Sequence, residues 1–159
     1  MTDPQHRKLR FSTLDDLRKE LETLERAHRA GQLRTTGNWT PGQNLSHLAS
    51  FIRYAYDGYP PLLQHPPLML RLIARLLRGV FLSSPLPRGV KIPGVPGGTV
   101  GVEDVSFEDG LAMFEREIER LARIAPTRAN PVLGNLTHDQ WLRLHLRHAE
   151  LHLGYLQPA

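Results

Sequence analysis

His145, His148 and His152 stand three and four residues apart near the end of the chain, and His47 stands by itself in the first third. A helix turns about 100° per residue, so positions three, four and seven apart share one face. Two imidazoles four apart on a helix can converge on one metal ion. Trp141 and Tyr155 fall within a few tens of degrees of the same stripe, while Arg143, Arg147, Glu150 and Gly154 project to other sides. One face thus carries imidazoles and aromatics and the other carries charge, which puts Glu150 on the wrong side for a general base. The competing reading of His148 and His152 is a pair of partly exposed histidines on an ordinary amphipathic helix.

Helices must hold these residues. Ser12 or Thr13 can cap a first helix whose Leu14, Leu17, Leu21 and Leu24 form an apolar stripe, with Asp15 and Asp16 against its dipole and Gly31 near its end. Thr40 reads as the cap of a second helix and Pro41 as its first residue, where the missing N–H costs nothing. That helix carries Gln43, His47, Phe51 and Tyr54, with Gln43 and Tyr54 one and two turns from His47. A lone histidine on an apolar face is also consistent with a hydrogen-bonded core residue. Pro67 opens a shorter helix rich in leucine, with Arg71, Arg75 and Arg78 repeating at four and three. It fits an insertion packed on the bundle, a membrane-surface contact or an anion-binding lip. The proline- and glycine-rich stretch Ser83 to Val105 is either a cover over a site or an extended strap. Ser106 caps a third helix built on Phe107, Leu111, Phe114, Ile118 and Leu121, with Glu115, Glu119 and Arg123 on its solvent side. Thr137 caps the fourth, with Asp139 and Gln140 in its first turn.

The whole chain narrows the chemistry. Its 159 residues suit one domain, 1–159. It contains no cysteine, which excludes disulfides, thiolate metal sites and a cysteine nucleophile, so any metal takes nitrogen and oxygen ligands. Twenty basic against 16 acidic residues leave a net charge of +4, without the clustered basic and aromatic residues of a nucleic-acid binder. Met1 to Lys8 lacks the apolar core of a signal peptide. Pro66 to Leu82 is too short and too charged to span a bilayer. A soluble, cytoplasmic protein is expected.

Gly37-Asn38-Trp39-Thr40, Gln43-x3-His47-Leu48-Ala49 and Leu144 to Leu153, with its His148-x3-His152, resemble the DinB/YfiT-like metalloenzyme superfamily. The likeness runs from about Leu9 to Leu156 and lies with a bacterial branch catalogued as a domain of unknown function. The resemblance implies an all-α fold, a DinB-like four-helix bundle of up-down-down-up type. A short basic helix and a long Pro/Gly-rich loop between helices two and three would be inserted relative to the simplest members. It implies a divalent metal held by His47, His148 and His152, with His145 outside the usual triad. It also implies a low-molecular-weight thiol as cosubstrate of a transferase or isomerase, and a homodimer.

Three neutral imidazoles leave a coordination position for water or substrate, and a metal there lowers the pKa of a bound water or thiol. Zinc and nickel head the metals that suit imidazole, with iron and copper behind. His145 is then a hydrogen-bonded neighbour, a proton carrier or a fourth ligand. Gln43, Tyr54 and Trp39 are candidates for contacts that orient His47 or touch substrate. Two functions follow. One is a metal-dependent enzyme acting on a small molecule by thiol transfer or hydrolysis, and the other a non-catalytic metal-binding or oligomerisation module with structural histidines. An open site beside a cavity distinguishes the first from the second.

Overall fold

A computed structural model describes residues 6–159; Met1 to Gln5, and with them most of the segment read as lacking a signal peptide, lie outside the described residues. The chain runs α1 (Leu14–Arg29), β1 (Leu33–Thr35), α2 (Pro41–Asp57), α3 (Pro61–Gln64), α4 (Leu68–Leu76), α5 (Arg78–Ser83), a short 3-10 turn (Pro96–Gly98), α6 (Phe107–Arg123), α7 (His138–Leu153) and β2 (Leu156–Pro158). Among the described residues the fold is all-α apart from a short antiparallel ladder between β1 and β2 and an isolated bridge between Asn130 and Gly134. None of the described helices is long and apolar enough to cross a membrane.

Side chains fix where the long helices start. Thr13, Thr40 and Thr137 each close a reciprocal capping box, with Asp16, Gln43 and Gln140 respectively. Ser106 accepts from the Asp109 N–H and donates to its carboxylate. Each arrangement satisfies amide groups that a first helical turn leaves without partners. Helices α1, α2, α6 and α7 then pool their apolar stripes into one core that includes Leu17, Leu21 and Leu24, Leu45 and Ile52, Phe114 and Leu121, and Trp141 and Leu153. At Gly42 an added Cβ would lie 2.1 Å from the Val105 carbonyl oxygen, and at Gly110 one would lie 2.7 Å from the Gly42 carbonyl oxygen. Only glycine allows α2 and α6 to approach this closely.

The insertion differs in detail from the single basic helix expected. The chain turns at Leu77 and continues as α5, and a four-residue helix, α3, precedes α4. This unit docks through a small second core of Ala74, Leu82 and Leu133. Its outer side stays open to solvent.

The charged side of α7 is a second departure, because Arg147 and Glu150 on it do not face water, although Arg143 does. Residues 6–13 run along it. Arg7 N–H donates to Gly154 O at 2.8 Å, and the Phe11 N–H donates to Glu150 Oε1 at 2.6 Å. Arg147 donates to the Phe11 carbonyl and pairs with Glu150 Oε1 at 2.8 Å. Both ionic side chains are buried, at 4% and 5% exposure.

Candidate metal centre

Helix α2 supplies His47 and helix α7 supplies His148 and His152. One ring nitrogen from each lies within 4.8 Å of the others. The rings meet mostly edge to face, with centroids 4.5 Å apart for His47 and His152, 4.7 Å for His148 and His152, and 5.1 Å for His47 and His148. Trp39 stacks on His152 at 5.3 Å with the planes 6° apart, and Phe51 packs against His47 and His148. Two aromatic walls therefore fix the ring planes.

Hydrogen bonds define which nitrogens are free. His47 Nδ1 lies 3.0 Å from the Val100 carbonyl oxygen. A carbonyl can only accept, so Nδ1 carries the proton and Nε2 keeps its lone pair for a metal. This is the carbonyl–imidazole arrangement that orients metal-binding histidines. His152 Nδ1 is buried with no hydrogen-bond partner among the described residues. A buried nitrogen left this way costs stability unless something else meets it, and a cation is one group that could.

Burial also sets the charge state. Desolvation pushes His47 down to about 4, opposed in part by its bond to Val100. It pushes His152 down to about 3, helped by the His47 and His6 imidazoles. His148 falls well below the ordinary histidine value for the same reason, with its three neighbouring imidazoles adding to the effect. At neutral pH all three rings are therefore uncharged, the form that binds metal. The donor set, the tautomer of His47 and the unmet nitrogen of His152 all fit a metal ion.

The rings form part of the wall of a cavity of about 580 Å³. Its other side is the Pro/Gly-rich stretch, through Pro87, Gly89 to Ile92 and Gly97 to Thr99; Asn38, Asn44 and Tyr155 are among the rest of the lining. This stretch is tied down along α2. Ser46 Oγ donates to Glu103 O at 3.1 Å and accepts from Glu103 N–H at 3.0 Å, and Arg53 pairs with Glu103. Two residues before Glu103 sits Gly101 at φ +74°, where an added Cβ would lie 2.8 Å from Ser50 Cβ and 2.9 Å from the Tyr54 hydroxyl. The strap thereby lies close enough for the Val100 carbonyl to reach His47.

Trp39 lies in this cavity, but the other nominated side chains lie elsewhere. Gln43 Oε1 accepts the Thr40 N–H at 2.9 Å in the helix cap. Tyr54 packs beneath Gly101 rather than on the rings. His145 is buried against Trp141, ring centroids 5.7 Å apart and nearly parallel. Its Nε2 has no hydrogen-bond partner among the described residues, and it stands outside the three-histidine group. Of the three basic residues of the inserted helix, none lines the cavity.

Sequence reasoning did not find Asn38, Asn44, Lys91 or the Val100 carbonyl. The first two lie beside nominated residues and could have been found by adjacency. A backbone carbonyl in a glycine-rich stretch leaves no side-chain signal. The β1–β2 ladder was missed for its brevity, yet it matters to the site. Thr36 N–H donates to Tyr155 O at 2.9 Å just beyond the ladder, which holds the Trp39 loop against the end of α7.

Residues 3–159 match the family described as "Protein of unknown function (DUF1569)", and the chain belongs to that family. No curated protein matches the chain. No solved structure matches it either.

Proposed function

We propose that this chain is a divalent-metal-dependent enzyme acting on a small molecule, with His47, His148 and His152 as the metal ligands. The observation that carries this reading is the convergence of three uncharged imidazoles, from two helices, on the wall of an open cavity. A structural histidine cluster has no need of such a space, which favours the enzyme over the non-catalytic module. Zinc or nickel is the proposed metal. When bound, it would lower the pKa of a water or thiol and supply a nucleophile at neutral pH. The Val100 carbonyl holds the proton of His47 on Nδ1, and Trp39 and Phe51 exclude water from one side of the rings.

The cavity lining contains no aspartate or glutamate, and Lys91 is its one formal positive charge. A substrate or cosubstrate bearing a carboxylate suits this wall, and low-molecular-weight thiols commonly carry one. A thiol-dependent transferase or a hydrolase on a DinB-like bundle, working as a cytoplasmic homodimer with 1–159 as one domain, completes the proposal. His145, Gln43 and Tyr54 are assigned supporting roles: Tyr54 seats the strap, Gln43 caps α2, and His145 packs behind His148.

Metal content measured by mass spectrometry on protein purified without a histidine tag tests the site. Near-stoichiometric zinc or nickel that disappears in His152→Ala supports it and makes thiol-transfer assays the next step. A protein that stays metal-free after incubation with either ion returns the reading to the binding module.

A further inference from the structure

The outer side of the inserted helices exposes an unusual amount of hydrocarbon. Leu68, Met69, Leu72, Ile73 and Leu76 are 66%, 67%, 54%, 48% and 85% exposed. At helical spacing these five occupy one continuous arc of α4, and Ala74 on the far side is buried in the small second core. The arc is thus aimed outward by packing rather than left over by poor order. Soluble domains rarely leave so large a contiguous apolar surface without a partner.

The charge of the same region is one-sided. Between Asp57 and Glu103 there is no acidic residue, whereas Arg71, Arg75, Arg78, Arg88 and Lys91 are all basic. These five exceed the chain's whole net charge of +4, so the remainder carries 15 basic against 16 acidic residues. On the helical wheel Arg71 and Arg75 stand between the exposed arc and buried Ala74. Arg71 Nε is buried, Arg75 lies against Gly134 and Arg78 donates to Asn135 O at 3.1 Å, so these long side chains rest on the protein and would turn outward to meet phosphates. An apolar helical face edged by arginines that can reach upward to phosphates is the pattern of a helix lying in a bilayer interface.

We propose that the α4–α5 face docks on an anionic lipid surface, with Leu72, Leu76 and their neighbours entering the acyl boundary and the arginines meeting headgroups. A second copy of the chain is disfavoured as the occupant. Self-pairing through this face would oppose two wholly basic segments with no carboxylate to relieve them. The histidine site plays no part in this surface.

Cosedimentation of the full chain with phosphatidylcholine vesicles, with and without about a third phosphatidylglycerol, tests the assignment. Binding is expected to the anionic vesicles, to weaken as salt is raised, and to fall by at least about tenfold in Leu72→Ser/Leu76→Ser. Both positions are exposed, so circular dichroism should be unchanged. Arg71→Gln/Arg75→Gln should lose about fivefold for each charge removed. Three results would overturn the assignment: no binding above the vesicle-free control, binding indifferent to the leucine pair, or a wild-type dimer in solution that the leucine pair dissociates. The last would make the face a contact between copies.

Discussion

Helix α7 carries buried polar groups on two sides, and the two sides are built on opposite plans. On one, Arg147 and Glu150 pair with each other and with the Phe11 backbone N–H and C=O, so the charges are met by fixed partners from the segment that covers them. On the other, His148 and His152 gather with His47 at an open cavity, and His152 Nδ1 finds no partner among the described residues. The first plan sets charge against charge, with Arg10 also 3.8 Å from Glu150 Oε2, and leaves only Arg147 Nε and Glu150 Oε2 without a hydrogen bond among the described residues. The second gathers uncharged donors with no counter-charge on the wall of a cavity, which is how a binding site differs from a structural ion pair.

The sharpest way to break this contrast is to remove one member of the closed pair. Arg147→Ala leaves Glu150 buried without its main counter-charge, a change that typically costs about 3–5 kcal/mol. The loss should fall near the lower end, because burial already pushes the Glu150 carboxyl upward and protonation offers an escape. Urea unfolding reads the cost. Metal bound per folded molecule should not change, and a variant that folds but loses its metal would mean that the two sides are coupled.

His152→Ala is the matching cut on the open side, with the reverse signature. Without metal the variant should lose only the packing of the ring against Trp39, His47 and His148, since no described group bonds its Nδ1. With zinc at about a hundred times its dissociation constant, the wild type should gain about 2.7 kcal/mol, and the variant should gain none. Thermal shift with and without zinc separates these outcomes; equal gains in both proteins would remove His152 from the ligand set.

The contrast was only half legible in the sequence. Helix starts could be read from Thr13, Thr40, Ser106 and Thr137, because a cap is a local event between residues three apart. The convergence of His47 with His148 and His152 was legible as well, from helical spacing and the resemblance. Arg147 and Glu150 misled. A charged pair three apart on a helix is usually solvated, and nothing nearby announces that residues 6–13 will lie across it. The same limit hid the Val100 carbonyl: which backbone oxygen meets His47 depends on how the strap lies on α2, a long-range matter. The exposed arc on α4 was ambiguous for a related reason, since a leucine-rich helix reads alike whether its wide face turns inward or outward.

The strap permits a finer cut. Gly101→Ala places a methyl group against Ser50 and the Tyr54 hydroxyl at a positive φ, which should lift the Val100 carbonyl from His47 Nδ1. Loss of such an orienting contact typically weakens metal binding by about 10–100-fold, and the strain alone should cost about 1–2 kcal/mol of stability. Competition with a zinc-responsive chelator measures the affinity. Tyr54→Phe/Gly101→Ala should recover part of it by opening space, whereas a Gly101→Ala protein with wild-type affinity would show that the Val100 contact does not orient His47.

The last cut is made with pH, and it distinguishes His145 from the ligands. Burial against Trp141 pushes His145 down to about 3, while an unfolded histidine titrates near 6.5. Between these values the unfolded chain binds the proton and the folded chain does not, so stability rises with pH through this window. The contribution is complete above about 6.5 and is lost progressively as pH falls towards 3. Urea unfolding of metal-free protein at several pH values should show this slope, reduced but not abolished in His145→Phe because His47, His148 and His152 are also held neutral. If His145→Phe instead loses zinc at pH 7 while unfolding normally, His145 belongs to the open side of α7, and the boundary between the site and the packing behind it moves one turn along the helix.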